Sequence, residues 1–174
     1  MQNRALKSQT GSSEFNEMTA TSHIPATRWV GLAGEHYIAM QVALEGVKPL
    51  LHEPTADLVA TRHGRSVTIE VKAMGEHGRY VVDLPADEIA TVDFLVVVEL
   101  NLAGSGKYTR PRHGDPGAGI DGPFAYVLPR ETAQEVVALG GDNHATRPAV
   151  NLRKAHHMLG PYLNAWHLIT DALG

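Results

Sequence analysis

The stretch ADLVATRHGRSVTIEVKAM, Ala56 to Met74, constrains the fold more than any other part of the chain. Apolar and polar residues alternate on both sides of His63 and Gly64, the pattern of two half-buried strands joined by a short turn. With the turn at His63 and Gly64, Arg62 faces Arg65, and counting back along both arms sets Asp57 opposite Glu70. Directly opposed side chains have Cβ atoms about 4.5 to 5.5 Å apart, where like charges repel unless something compensates them. Lys72 lies two residues beyond Glu70 and shares its face by the period of two.

The elements around this hairpin follow from periodicity and punctuation. ATRWVGLAGEHYIAMQVALEG has helical spacing and ends at Gly46, a C-cap residue. KPLLHE precedes the hairpin as a strand, and RYVVDL follows it as another. PADEIAT supports at most a helical turn. DFLVVVELN is a continuous apolar run of strand length, as expected for a strand covered on both faces. Residues 103–123 are rich in Gly and Pro and read as a long loop. FAYVLP reads as the last strand, RETAQEVVALG as an amphipathic helix, and NLRKAHHMLGPYLNAWHLITDALG as helical material broken near Gly160-Pro161.

Composition narrows the class. At 174 residues the chain is read as a polar leader or tag at 1–17 and a single domain at 18–174. A formal net charge of -4 gives no global basic footprint, so any nucleic-acid contact must use local positive charge. The absence of Cys excludes disulfides and thiolate metal sites, and it agrees with a cytoplasmic location. No apolar run reaches the roughly 20 residues of a membrane span.

A divalent cation would reconcile Asp57 with Glu70. Mg²⁺ takes oxygen ligands, commonly one or two carboxylates with water and phosphate oxygens in the remaining positions, and Mn²⁺ can substitute for it. A cation there neutralises charge on a phosphodiester, while an adjacent lysine positions water or stabilises the developing charge. The plain alternative is a solvated hairpin, since Glu-Val-Lys on an outer face is common. That alternative leaves Glu35 unexplained. Glu35 shares a helical stripe with Leu32, Ile38, Ala39 and Val42, so the stripe carries a carboxylate inward, toward something that needs negative charge. Gly31 and Gly34 are expected to let that helix approach the sheet closely.

The order of helix with GLAGEHYIAMQVALEG, then Pro54-Thr55-Ala56-Asp57, Glu70-Val71-Lys72 and a long apolar strand resembles the PD-(D/E)xK nuclease superfamily. The resemblance is strongest over Thr27 to Asn101. It implies an α/β fold with a restriction-endonuclease-like αβββαβ core, a central mixed sheet flanked by helices. It also implies a Mg²⁺-dependent nuclease, a DNA endonuclease, with Asp57 and Glu70 as metal ligands, Glu35 as the helix glutamate of the metal shell and Lys72 as the catalytic lysine. One departure is that the motif's Pro-Asp pair is spread over four residues. The alternative in another class is a non-catalytic DNA-binding or assembly subunit that keeps the fold.

Beyond the motif, Lys107, Arg110 and Arg112 interleave with Tyr108 in the Gly-rich segment and are expected to track a phosphate backbone. Adjacent His156 and His157 point about 100° apart on a helix and do not chelate together. A homodimer is expected on symmetry grounds, with the tail from Ala155 to Leu173 at its interface and packing on the chain's own core as the alternative.

Overall fold

The computed structural model describes residues 26–53, 56–74, 81–83, 86–100, 122–142, 149–152 and 155–174. The leader, Pro54-Thr55 and the basic residues Lys107, Arg110 and Arg112 lie outside them. In chain order the elements are helix α1 (Ala26–Leu44), strands β1 (Lys48–Glu53), β2 (Ala56–Arg62), β3 (Arg65–Met74) and β4 (Val81–Asp83), helix α2 (Ala86–Thr91), strands β5 (Phe94–Glu99) and β6 (Phe124–Pro129), helix α3 (Arg130–Gly140), strands β7 (Gly141–Asp142) and β8 (Ala149–Asn151), and helices α4 (His156–Leu159) and α5 (His167–Leu173).

Five strands form a mixed sheet in the order β1-β2-β3-β5-β6. β1, β2 and β3 are an antiparallel meander, β3 runs parallel to β5, and β6 returns antiparallel to β5. This is the α/β architecture with a mixed sheet flanked by helices that the element order implies. The hairpin turn is where the alternation puts it: Arg62 pairs with Arg65, and His63 and Gly64 both have positive φ. Such a turn matches the twist of its strands.

The sheet separates two apolar layers. On one side α1 and α5 cover it, with Ile38, Val42, Leu58, Ile69, Val96, Val127 and Ile169 among the buried residues. On the other side α2, α3 and α4 pack against Leu95, Val97, Tyr126 and Leu128 through Ile89, Val136 and Leu159. Neighbouring residues of β5 therefore enter different layers, which is why that strand is apolar throughout.

Four expectations are corrected. FAYVLP is not the last strand: β7 and β8 follow and form a small sheet of order β4-β8-β7. Asn151, read as the start of helical material, is instead the last residue of β8, where it pairs with Val81 of β4. PADEIAT forms more than a single turn, since Ile89 is buried between sheet and α3 and holds the helix in place. The tail is not left free as an interface. Ala155, Leu159, Ala165, Trp166, Ile169 and Leu173 are buried within the chain, and Trp166 meets Tyr37 edge-on with ring centroids 6.4 Å apart.

The glycines of α1 differ. A Cβ at Gly34 would lie 2.5 Å from the Ala73 Cβ and 3.0 Å from the Val98 Cγ1, whereas one at Gly31 would meet nothing within 4 Å. Only Gly34 is a close approach, so the expectation for Gly31 does not hold. Gly34→Ala is expected to destabilise the fold by about 1 to 3 kcal/mol through overpacking. Gly31→Ala is expected to stabilise it by up to about 1 kcal/mol through helix propensity. Urea unfolding of the two variants reads the opposite signs.

Candidate functional site

The β2–β3 ladder runs from Arg62↔Arg65 to Leu58↔Ile69. One step further, where Asp57 and Glu70 come level, a side chain takes over from the main chain. The Asp57 Oδ2 accepts a hydrogen bond from the Val71 amide at 2.9 Å. Asp57 is thereby held against the β3 backbone at the point where the ladder ends.

Glu70 and Lys72 alternate with the buried Ile69 and Val71, so they face the α2 side of the sheet. The Lys72 Nζ donates to the Glu70 Oε1 and, at 3.0 Å, to the Glu88 Oε2. Glu88 sits on α2, half exposed, and sequence reading missed it because a six-residue helix is too short to show a periodicity. One ammonium thus serves two carboxylates. The Lys72 pKa is raised: burial alone would lower it, but the hydrogen bonds and charges of Glu70 and Glu88 more than offset that. Burial pushes the Glu70 carboxyl up, and Asp57 and Glu88 add to this against the downward pull of Lys72.

Glu35 reaches the same region from the other side of the sheet, because the Gly34 contact with Ala73 brings α1 down onto β3. Its Oε2 is buried without a hydrogen-bond partner. The nearest basic atom is the His52 Nδ1 at 3.4 Å, an ion-pair distance that does not make a hydrogen bond, from a histidine that is largely exposed. His52 itself has φ +61, a left-handed conformation at the end of β1 that sequence reading gave no reason to single out. Burial raises the Glu35 pKa, the Asp57 charge raises it further, and His52 and His36 pull it down.

The structure therefore brings Glu35, Asp57, Glu70 and Lys72 into one region and adds Glu88. Lys107, Arg110 and Arg112 lie outside the described residues. Among the described residues no group of three or more His, Asp or Glu side chains is placed to hold a metal ion. Mg²⁺ does not require such a group, since water and phosphate oxygens commonly complete its shell. The buried, unpartnered Glu35 oxygen and the surplus of carboxylates over Lys72 fit a cation bound by Asp57 and Glu70, with Glu35 beside it.

No protein-family model matches the chain, and no curated protein matches it. Among solved structures, a bacterial homing endonuclease, I-Ssp6803I, aligns with a TM-score of 0.49 and 20% sequence identity, over 85% of this chain and 94% of that one. That likeness is too low to assign a family. No helix among the described residues is long and apolar enough to cross a membrane.

A carboxyl whose pKa is raised in the folded state binds more protons folded than unfolded, so its contribution to stability falls as pH rises through the interval above the ordinary value of 4.5. Glu35→Gln removes that penalty. It is expected to make the metal-free protein more stable at neutral pH, with the gain shrinking as pH falls into the carboxylate range. Urea unfolding in EDTA at several pH values measures this, and a loss of stability at neutral pH would refute it.

Proposed function

We propose that the chain is a divalent-cation-dependent nuclease that hydrolyses phosphodiester bonds in DNA as an endonuclease. The observation that carries this reading is the excess of acid around one lysine: among the described residues Glu35, Asp57, Glu70 and Glu88 gather where the β2–β3 ladder ends, with the Lys72 ammonium hydrogen-bonded to two of them. Asp57 and Glu70 would hold Mg²⁺, or Mn²⁺ in its place, with Glu35 binding directly or through water. Bound there, the cation supplies positive charge at the phosphodiester and lowers the pKa of water.

The chain's own residues have separable tasks. The Val71 amide holds the Asp57 carboxylate in place against β3. Lys72 stays protonated between Glu70 and Glu88, so it donates hydrogen bonds to water or to phosphate oxygens rather than accepting a proton. Glu88 keeps a hold on that ammonium when Glu70 turns to another cation. Glu35 adds negative charge from α1. The arrangement resembles the PD-(D/E)xK site that the sequence order implies.

Glu70→Gln is nearly isosteric and is expected to abolish Mg²⁺-dependent cleavage of plasmid DNA while leaving the melting temperature unchanged or higher. Lys72→Ala is expected to lose at least about a hundredfold in turnover, the lower range for removing a hydrogen-bond donor to developing negative charge, with a much smaller loss of Mn²⁺ affinity by calorimetry. Full cleavage by Glu70→Gln would remove it as a ligand. Wild-type protein that binds DNA without cutting it in Mg²⁺ or Mn²⁺ would make the chain a binding or assembly subunit instead.

The homodimer remains part of this proposal only as a means of cutting both strands with one site per chain. The tail's apolar residues are buried within the chain, which leaves only its polar outer face for contact with a second copy. Light scattering together with a count of nicks and double-strand breaks tests it.

A further inference from the structure

Arg62 and Arg65 face each other directly across the hairpin, where like charges are destabilising. No described Asp or Glu side chain lies within ion-pairing distance of either, and the Arg65 guanidinium lies beside Gly174 at the C-terminal end of α5. Lys48 on β1 pairs with Thr61, one residue away, and is likewise without an acid partner among the described residues. These three cations, with His63, line a shallow pocket of about 410 Å³ that wraps the turn and includes Thr61, Gly64 and Ser66. The side chains are placed on both faces: Lys48 shares the Glu70 face through Thr61, and Arg62 and Arg65 take the other.

We propose that this hairpin tip is a second contact, separate from the cleavage site, for the phosphodiester backbone of nucleic acid, made by Lys48, Arg62 and Arg65. The ligand's identity rests on the nuclease reading; the site itself rests on the unpartnered cations. In a chain of net charge -4, a pocket of three cations without a carboxylate side-chain partner attracts a polyanion. The tip is also suitably far from the acids. Arg65 and Glu70 are five residues apart on one strand. That is about 17 Å at the usual strand rise, or about five nucleotide steps of 3.4 Å along one strand. A backbone held by Arg62 and Arg65 passes round the tip to Lys48, on the face that Asp57 and Glu70 share, and is thereby led toward acids whose repulsion would otherwise keep it away.

The test uses a fluorescently labelled duplex and the full chain in EDTA, so that binding is read without cleavage. The double variant R62Q/R65Q is expected to bind more weakly and to show a plot of log affinity against log salt that is shallower by about 2, close to one unit per phosphate contact. Its melting temperature is expected to be equal to or above that of wild type, since a like-charge pair is relieved. K48Q is expected to lower the slope by about 1. Inorganic phosphate and a mononucleotide serve as competitors at constant ionic strength. Unchanged affinity and slope in R62Q/R65Q, absence of duplex binding by wild type, or displacement by inorganic phosphate alone would each overturn the proposal, the last by making the pocket a free-anion site. Duplex binding that depends on these residues, combined with no cleavage when Mg²⁺ is restored, would uphold this contact and reject the enzyme reading.

Discussion

The arrangement around Lys72 depends on an unequal count of charges. Two carboxylates bond to its ammonium, and Asp57 stands close enough to both Glu35 and Glu70 to raise their pKa values. A folded protein removes such repulsion when it can, because like charges in partly buried positions cost stability. Here the fold maintains it. The Gly34 contact fixes α1 against β3, the Val71 amide fixes Asp57, and burial of Ile89 fixes α2, so each acid is carried in by a different part of the framework. Packing energy spent elsewhere holds the acids together.

The sheet makes this convergence possible. β5 is buried on both faces and β3 runs parallel beside it, so the two layers share a rigid centre. Helices on opposite sides then deliver Glu35 and Glu88 toward one strand. Neither helix meets the other to do so. The point of contact is the end of the β2–β3 ladder, where main-chain pairing stops and a side-chain carboxylate satisfies a backbone amide in its place.

The hairpin, its register and the doubly covered strand were legible because each is written in a period: two for β2 and β3, and an unbroken apolar run for β5. Glu35 was legible as an acid inside a helical stripe. Glu88 was not, because α2 is too short to carry a pattern, and its partner Lys72 is sixteen residues away in sequence. The Asp57 bond to Val71 was not legible either, since any side chain may bond to a backbone group that a ladder leaves open. β7 and β8 escaped notice because strands of two and three residues show no alternation. Their existence depends on β4, a distant partner. The Gly31 expectation failed because propensity says where a helix can be approached, and only the packed sheet says where it is.

The short length of α2 has a kinetic consequence. Six residues fall well below the length at which a helix holds itself together, so α2 persists only while Ile89 stays docked. Elements of that kind open locally at a smaller free-energy cost than a central strand does, and their amides exchange with solvent sooner. Lys72 therefore has one tether on the slow-exchanging framework, at Glu70 on its own strand, and another on a segment that comes and goes. Local opening of α2 would release the Glu88 tether and leave the ammonium held by Glu70 alone.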